Sequence, residues 1–185
     1  MIEIRYHGRG GQGAVIASKI LAEAAFREDN YVQSFPYFGV ERRGAPVTAF
    51  TRIGKDPIRV RSEIYNPDFI VILDEALLKQ VDMFYGVKET SSVLVNTSLP
   101  PDKLDVGHNI RKATVDATSI AIKHRLGSKN FPIVNTSIIG ALAKVTGLVS
   151  IDSVGAAIRK VSPAKQEENE LAAREAYESV VIGGE

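Results

Sequence analysis

The sequence contains no cysteine, and this absence excludes three kinds of site at once. A chain without thiols forms no disulfide, no thiolate zinc centre and no cysteine-ligated iron–sulfur cluster. The three histidines, His7, His108 and His124, lie far apart without the spacing of metal ligands. We therefore predict that this chain holds no metal ion, and that any redox metal it serves belongs to a partner.

Long apolar runs and a strong net charge are also absent. Although 44% of the residues are apolar, no stretch approaches the roughly 20 residues of a membrane-spanning helix. No charged and apolar leader precedes the first strand pattern, which predicts a cytoplasmic protein. The net charge of +1 argues against a nucleic-acid binder that depends on overall basicity. Lys and Arg are nevertheless in excess within residues 1–61, which favours an anionic ligand or a solvated basic surface there.

The length of 185 residues predicts one domain, residues 1–185, since no repeat, low-complexity tract or long linker divides it. Strand and helix patterns alternate, which predicts an α/β fold: a three-layer sandwich around a mixed, largely parallel sheet, with a Rossmann-like first βαβ unit. Ligands of such sheets bind beyond the carboxyl ends of the strands, where a glycine-rich loop, Asp74 and Asn96 are expected to emerge.

The first part of the chain has clear periodic patterns. Ile2, Ile4 and Tyr6 alternate with charged residues and predict a strand. Residues 14–27 repeat apolar side chains at i+4 and predict an amphipathic helix. Further strands are predicted at 31–35, at 47–53 and 58–61 as a hairpin, and at 69–73 as a buried parallel strand.

The second part is predicted from apolar runs, caps and turn residues. These signals predict a helix from Glu75 to about Phe84, a strand at 92–95, a loop with a short strand at 97–116, a helix at 117–126, a short strand at 133–134 and a helix at 137–145. Asp152 is expected to cap a helix through Arg159, and Ser162-Pro163 to open the last helix, with order ending at Gly183-Gly184. Asp74 and Asn96 are interpreted as helix caps, Asn135 as a cap or part of a cleft, and His7 as a satisfied structural histidine.

The loop Gly8-Arg-Gly-Gly-Gln-Gly13 matches the Gly-x-Gly-x-x-Gly dinucleotide fingerprint between a strand and a helix. Glycine permits a close backbone approach, and the N–H groups of the first helical turn attract a phosphate. An NAD site would also need an acid at the end of the second strand, where Ser34-Phe35-Pro36 stands instead. The alternative to an anion site is a turn that only lets the helix pack on the sheet. The candidate contacts are Gly8, Arg9, Gly10, Gly11, Gln12 and Gly13.

Two segments together resemble a known family. They are His-Gly-Arg-Gly-Gly-Gln-Gly-Ala at 7–14 and Ser-Phe-Pro-Tyr-Phe-Gly-Val-Glu-Arg-Arg-Gly-Ala-Pro-Val at 34–47. In sequence, order and separation they are similar to the gamma subunit, or gamma domain, of 2-oxoacid:ferredoxin oxidoreductases. Weaker likeness in the tail, at 168–177, extends the resemblance over nearly the whole chain. The Glu-Arg-Arg-Gly-Ala-Pro form is most similar to the pyruvate type and next to the branched-chain type.

This resemblance implies a multisubunit enzyme that reversibly converts pyruvate, coenzyme A and oxidised ferredoxin to acetyl-CoA, carbon dioxide and reduced ferredoxin. It implies that thiamine diphosphate, Mg²⁺ and 4Fe–4S clusters lie on partner alpha, beta and delta subunits, and that ferredoxin acts on the complex. The gamma chain then contributes to assembly and to the coenzyme A side of the site. It carries no catalytic residue, and neither nucleic acid nor membrane is expected as a partner.

Within the resemblance, the second segment supplies further candidate coenzyme A contacts: Ser34, Tyr37, Glu41, Arg42 and Arg43. Guanidinium groups suit bidentate phosphate contacts, Glu41 is expected to orient one of the arginines, and Tyr37 and Phe38 to pack on the adenine or the pantetheine arm. The same segment is alternatively a subunit-interface loop, since interfaces favour Arg and Tyr. The alternatives for the whole protein are a gamma subunit of a branched-chain (2-oxoisovalerate) enzyme, a free-standing Rossmann-type oxidoreductase and a scaffold subunit without a ligand.

Overall fold

The chain combines a central sheet with helices packed against it, as the α/β prediction requires. The computed structural model describes residues 1–37, 44–80 and 82–184. The strands are β1 (Ile2–Arg9), β2 (Tyr31–Pro36), β3 (Pro46–Gly54), β4 (Phe69–Ile72), β5 (Ser92–Asn96), β6 (Arg111–Val115), β7 (Gly127–Ser128), β8 (Phe131–Pro132) and β9 (Val181–Ile182). The helices are α1 (Ala14–Arg27), α2 (Ala117–Lys123), α3 (Asn135–Thr146), α4 (Ile151–Val161) and α5 (Gln166–Ser179), with 3₁₀ helices at Glu75–Lys79 and Pro101–Lys103.

A seven-stranded sheet within the described residues has the order β2-β3-β1-β4-β5-β6-β9. Its centre, β1-β4-β5-β6, is parallel, whereas β3 pairs antiparallel with β1 and β2, and β9 pairs antiparallel with β6. The predicted mixed sheet with a parallel core is therefore confirmed. The carboxyl ends of β1, β2, β4, β5 and β6 share one edge, which we call the carboxyl edge.

The two faces of the sheet are covered by different kinds of structure. On one face, the helical face, residues of all five described α-helices pack with alternate strand residues such as Tyr6, Val71 and Leu94 into the larger core. On the other, the irregular face, Ile72 and Val95 pack with residues of the 3₁₀ helix Glu75–Lys79 and of loops. The predicted third layer is thus present, but it is built largely of irregular chain.

Residues 58–61 do not form the predicted hairpin strand. The Ile-Arg-Val-Arg alternation is typical of a strand, but β3 already pairs with β1 along one side and with β2 along the other. No side of β3 remains for a third partner. The segment stays largely exposed, and the carbonyl of Ile58 accepts a hydrogen bond from Gln33 Nε2 at 3.2 Å.

The helix predicted from Glu75 to about Phe84 is replaced by the 3₁₀ helix Glu75–Lys79 and an irregular continuation. Asp82 Oδ1 accepts a hydrogen bond from the backbone N of Phe84 at 3.2 Å. Such local side-chain-to-backbone bonds compete with helix formation. The apolar residues that suggested a helix, Leu77 and Phe84 among them, instead pack on the irregular face.

Two helix boundaries differ from the predicted ones because a residue next to each has a left-handed backbone conformation. Helix α2 ends at Lys123 rather than Leu126, because Arg125 has a φ of 57° and turns the chain into the β7–β8 hairpin. Helix α5 begins at Gln166 rather than at Ser162-Pro163, since Lys165 before it has a φ of 51°. Positive φ is uncommon outside glycine, so sequence patterns rarely indicate it.

Three smaller predictions also need correction. Ser150, not Asp152, caps α4, and its side chain accepts from Ser153 N. The short strand lies at Phe131–Pro132 rather than 133–134, because it pairs back on Gly127–Ser128. Before Gly183, the chain forms β9 on the edge of β6, which no sequence pattern indicated. The bounds of α1 agree with the predicted helix at 14–27.

Candidate functional site

The glycine loop lies at the carboxyl edge between β1 and α1. Gly8 and Arg9 are still strand residues, so the loop itself is shorter than the sequence motif and runs from 10 to 13. Gly11 and Gly13 have φ angles of 102° and 87°, a region that favours glycine. A Cβ added at Gly13 would also lie 2.6 Å from Asn135 Nδ2. Backbone conformation and close packing therefore both require glycine at position 13.

The N-terminus of α1 carries no side-chain cap among the residues that the structure describes. Gly13 is its N-cap residue, no side chain of residues 1–37, 44–80 or 82–184 accepts a hydrogen bond from the first turn, and that turn contains no acid. The first N–H groups of a helix need acceptors, and the helix dipole makes this end partially positive. An anionic group is the chemical complement of this end of α1.

Arg9 and Gln12 hold the loop in shape through Asp74. Arg9 Nε donates to Asp74 Oδ2 at 2.8 Å, and Gln12 Nε2 donates to the same oxygen at 3.1 Å. Gln12 Oε1 in turn accepts from the backbone N of Arg9 at 2.7 Å. Asp74 Oδ1 accepts from Ala76 N at 3.0 Å, so the predicted capping role of Asp74 is confirmed. The glycine loop is thereby fixed to the end of β4.

Two clefts open on either side of Gly11. One, of about 530 Å³, we call the loop cleft; it is lined by Arg9, Gly10, Gly11, Gln12, Gly44, Asp74, Asn130, Phe131 and Pro132. The other, of about 490 Å³, we call the apolar cleft; it is lined by Gly11, Gly13, Ile16, Leu126, Gly127, Ile133, Asn135, Ser162, Pro163, Ala164, Lys165 and Asn169. The uncapped end of α1 thus lies between a cleft rich in polar groups and a cleft rich in apolar ones.

The candidates of the second segment divide into two groups. Ser34 lies on β2, and its hydroxyl is 2.9 Å from that of Ser18 on α1, so it ties strand to helix. Tyr37 follows β2; its N donates to Thr48 O at 2.9 Å, and its side chain is exposed. Glu41, Arg42 and Arg43, together with Phe38, lie outside the described residues.

Asn96 and Asn135 serve structural purposes at the same edge. Asn96 Nδ2 donates to Leu73 O at 2.8 Å, and its Oδ1 accepts from Thr118 N at 3.2 Å, which joins β4, β5 and α2. Asn135 Oδ1 accepts from Thr136 N at 2.8 Å, while its amide group lines the apolar cleft against Gly13. Asn135 is the first residue of α3 and Val134 is its N-cap residue, so the cap interpretation of Asn135 is wrong, whereas its contribution to a cleft is confirmed.

His7 is buried on the irregular face, but it is not fully hydrogen-bonded. Its Nδ1 lies 3.5 Å from Thr48 Oγ1, and its Nε2 has no hydrogen-bond partner among the described residues. Burial, aided by the positive charge of Arg5, lowers the pKa of His7 to about 3. The expectation that both ring nitrogens are satisfied is therefore wrong, and the ring is neutral at physiological pH.

The β7–β8 hairpin is the part of the site that sequence reasoning missed. Its residues Asn130, Phe131 and Pro132 line the loop cleft opposite the glycine loop, and Gly127 lines the apolar cleft. The turn-forming run Gly-Ser-Lys-Asn at 127–130 before an aromatic residue was the available signal.

Within residues 1–37, 44–80 and 82–184, no three His, Asp or Glu side chains converge into a group that could hold a metal ion. None of the helices in these ranges is both long and apolar enough to cross a bilayer.

The fold and the loop define an α/β protein that presents a helix N-terminus and two clefts at the carboxyl edge of its sheet. The family model "Pyruvate ferredoxin/flavodoxin oxidoreductase" matches residues 3–179, and the chain belongs to this family. The resemblance inferred from the two sequence segments is thus confirmed.

Relatives in three organisms are similar over nearly the whole chain. The Pyrococcus abyssi protein named "Pyruvate/ketoisovalerate oxidoreductases common subunit gamma" is 54% identical, with 98% of each chain covered. The Methanothermobacter marburgensis "Pyruvate synthase subunit PorC" is 54% identical, with 100% of each chain covered. The crystal structure of the Thermotoga maritima pyruvate oxidoreductase subunit PORC superposes with a TM-score of 0.84 at 38% identity, covering 99% of this chain and 98% of that one. These matches support a gamma-type subunit over a free-standing Rossmann-type enzyme.

Proposed function

We propose that this chain is the gamma subunit of a pyruvate:ferredoxin oxidoreductase and that its carboxyl edge forms part of the coenzyme A site. In this role the chain binds one end of coenzyme A and helps to assemble the complex, while the oxidative decarboxylation takes place on partner subunits. The observation that carries the proposal is the uncapped N-terminus of α1 between the loop cleft and the apolar cleft.

Coenzyme A has the chemistry that this arrangement complements. Its pyrophosphate and ribose 3′-phosphate are anionic, and free N–H groups at a helix N-terminus bind such groups. Its pantetheine arm and adenine ring are largely apolar, which suits the cleft that contains Ile16, Leu126 and Ile133. No acid in the first turn of α1 opposes the anion, and Asp74 is occupied by Arg9 and Gln12.

Arg42 and Arg43 complete the proposed site, with Glu41 orienting one of them. The chain enters their segment at Tyr37 and leaves it at Gly44, and both of these residues are fixed at the carboxyl edge. Tyr37 N donates to Thr48 O at 2.9 Å, and Gly44 N donates to Gly10 O at 3.0 Å. Connectivity therefore supports a role for the two arginines beside the glycine loop, where their guanidinium groups bind phosphate in a bidentate manner.

The remaining cofactors belong to partners in this proposal. Thiamine diphosphate, Mg²⁺ and the 4Fe–4S clusters are held by alpha, beta and delta subunits, and ferredoxin collects the electrons from the complex. The absence of cysteine supports this division, because cluster ligation needs thiolates. We further propose that residues 1–185 act as one domain and that the complex works in the cytoplasm.

A second candidate substrate is 2-oxoisovalerate, and one specific observation favours it. The Pyrococcus abyssi relative is named as a gamma subunit common to the pyruvate and ketoisovalerate enzymes. A gamma chain that contacts coenzyme A, the substrate that both reactions share, can serve either enzyme. Assay of the complex isolated through this chain with both 2-oxoacids separates the candidates, since only the true substrate supports coenzyme A-dependent reduction of ferredoxin.

The site proposal is tested by Arg42→Ala and Arg43→Ala in the assembled complex. We expect the KM for coenzyme A to rise roughly tenfold for each lost charged contact, while kcat and the KM for pyruvate stay close to wild type. The matched control is the double variant Arg59→Ala/Arg61→Ala, which removes two exposed arginines of the irregular face. If the variants damage assembly and leave coenzyme A kinetics untouched in complexes that form, the segment is a subunit interface instead.

A further inference from the structure

The guanidinium of Arg9 contacts three separate parts of the chain. Its Nε donates to Asp74 Oδ2 at 2.8 Å, its Nη1 to Gly44 O at 3.1 Å and its Nη2 to Gln80 Oε1 at 2.9 Å. The side chain is 25% exposed and lines the loop cleft. Each nitrogen of the group already donates to the protein itself.

Gly44 and Ala45 are attached to the glycine loop at the same point. Gly10 N donates to Ala45 O at 2.9 Å, and Gly44 N donates to Gly10 O at 3.0 Å. Together with the Arg9 bond to Gly44 O, three hydrogen bonds fix the place where the chain returns from residues 38–43. Gly44 has a φ of 80°, a conformation that favours glycine and defines the direction of this return.

The other side of Arg9 is anchored to a rigid element. Asp74 is held by three donors, Arg9 Nε, Gln12 Nε2 and Ala76 N, at the end of the buried strand β4. A carboxylate with these partners cannot rotate without losing charge-assisted bonds. Arg9 therefore links Gly44 to Asp74 at the end of β4 and restricts the position of Gly44.

Only arginine has the geometry for this set of contacts. Its planar group directs donors toward three acceptors at once, whereas the ammonium of lysine is a single point on a flexible stem. A lysine at position 9 would keep the attraction to Asp74 but would not reach Gly44 and Gln80 together. The Arg9–Asp74 ion pair is partly exposed, so it contributes little to the stability of the fold. The main role of Arg9 is to bond three acceptors at once.

We propose that Arg9 is a positioning residue for coenzyme A, which holds Gly44 and Ala45 against the glycine loop and so fixes the shape of that loop. It acts through Gly44 and contacts no phosphate. This inference rests on the proposed function, because it assigns Arg9 a role in the same coenzyme A site. It changes the interpretation of the sequence motif, in which Arg9 was a candidate ligand beside the glycines.

The test compares Arg9→Lys and Arg9→Gln in the assembled complex. We expect the KM for coenzyme A to rise in the order wild type, Arg9→Lys, Arg9→Gln, with a total change of roughly tenfold, while kcat and the KM for the 2-oxoacid stay within about twofold. Partial rescue by lysine reflects the ion pair with Asp74 that it retains. A purely structural residue would instead lower the yield of complex, or kcat, without this selective effect.

Hydrogen–deuterium exchange of the same complexes measures the positioning directly. The amides of Gly10 and Gly44 are expected to exchange faster in Arg9→Lys, whereas the amide of Leu73, which donates to His7 O in the sheet, keeps its wild-type rate. Arg27→Lys is the matched control, since Arg27 only pairs with Glu23 on the surface of α1. If Arg9→Gln does not assemble, Arg9→Lys decides by the same two measurements.

The outcomes distinguish this inference from the proposed function. Unchanged coenzyme A kinetics in the Arg9 variants, together with a raised KM in Arg42→Ala and Arg43→Ala, overturn the positioning role alone. Unchanged coenzyme A kinetics in all of these variants overturn the proposed site itself. A raised KM for coenzyme A without faster exchange at Gly44 also overturns positioning, because it indicates a direct contact of Arg9 with the ligand.

Discussion

The helical face and the irregular face of the sheet are both covered, but different kinds of side chain are buried on them. Under the helices the core is apolar and fully buried, with side chains such as Ile20, Ile138 and Leu142. On the irregular face, Arg5, His7 and Arg52 are buried beside the smaller apolar cluster. Two arginines, Arg5 and Arg52, are thus buried on the irregular face. Among the described residues, the core on the helical face contains no arginine.

The difference follows from the backbone that covers each face. Helices satisfy their own N–H and C=O groups, so they bring only side chains to the sheet. Irregular segments bring unpaired carbonyls, which are costly when buried without a donor. Arg5 donates to the carbonyls of Ile64, Tyr65, Met83 and Tyr85 at 2.8 to 3.3 Å.

Arg52 does the same for a neighbouring part of the irregular face. Its Nη2 donates to Ser62 O at 2.9 Å and to Glu63 O at 3.2 Å, while its Nε pairs with Glu3 at 2.7 Å. The side chain is only 1% exposed. Arginine side chains of the strands therefore donate hydrogen bonds to carbonyls of residues 62–65, which form no strand pairing. Charged side chains are buried because irregular chain covers this face.

Removing Arg5 is the most severe way to break this arrangement. Arg5→Met keeps a comparable apolar stem but leaves four carbonyls without their donor, and each unmet buried acceptor costs about 1–3 kcal/mol. Because some of these groups can reach water, we expect the free energy of unfolding to fall by about 3–5 kcal/mol in total. Urea unfolding of the purified chain measures this change.

Arg59→Met is the control for the loss of a charge, since Arg59 is exposed on the same face. Its effect should stay within about 0.5 kcal/mol. Arg5→Lys is also expected to be destabilising, because a single ammonium cannot bond both the 64–65 and the 83–85 carbonyls. A stable Arg5→Met protein would mean that the apolar cluster holds the irregular face without donors from the strands.

The helical face was largely predictable from the sequence, and the irregular face was not. The alternation in β1 and the i+4 repeat in α1 are local patterns that place apolar side chains on one side of an element. Both elements form where these patterns predict them. The segment 58–61 has an equally good strand pattern, but its pairing depends on which edges of β3 are free. That is a property of the whole sheet, which a local pattern does not contain.

The candidate site shows the same division. The glycine loop and the helix that follows it were predicted, because the motif itself specifies a turn and a close approach of backbone between a strand and a helix. The contacts of Arg9 with Asp74, Gly44 and Gln80 were not, since they join residues far apart in sequence. Positive φ at Arg125 and Lys165, which position the walls of the apolar cleft, left no sequence signal either.

A smaller effect is expected when the packing of the helical face is tested. A Cβ at Gly140 in α3 would lie 1.9 Å from Ala173 O in α5, so the two helices must separate to admit Gly140→Ala. Overpacking of this kind costs about 1–3 kcal/mol, against a gain of about 1 kcal/mol from the helix propensity of alanine. We expect a net loss of up to about 2 kcal/mol in the free energy of unfolding.

Gly155→Ala in α4 is the matched control for Gly140→Ala. Its added Cβ would lie 2.7 Å from the Glu170 carboxylate, the end of a flexible side chain that can move away, and not from backbone. Gly155→Ala should therefore be close to neutral in the same denaturation experiment. Equal effects of the two substitutions would show that the α3–α5 contact is no tighter than an ordinary helix pair.

The last effect is a dependence on pH that comes from His7 on the irregular face. Its folded-state pKa is about 3, below the ordinary value of 6.5, because burial disfavours the charged ring. Between these values the unfolded state binds a proton that the folded state does not, so stability is fully present above pH 6.5 and is lost as the pH falls. The loss reaches about 2 kcal/mol by pH 5.

His7→Gln should therefore flatten the dependence of the free energy of unfolding on pH between 6.5 and 5, whatever its effect at pH 7. This window lies above the ordinary range of carboxyl groups, so the lowered pKa values of Glu23 and Glu175, caused by their Lys160 and Lys123 partners, contribute at more acidic pH. His108→Gln, which removes an exposed imidazole, is the control for the loss of a histidine. An unaltered slope in His7→Gln would mean that the protonated His7 ring donates to a hydrogen-bond acceptor in the folded state. The irregular face would then accommodate a charge at position 7, as it does at Arg5.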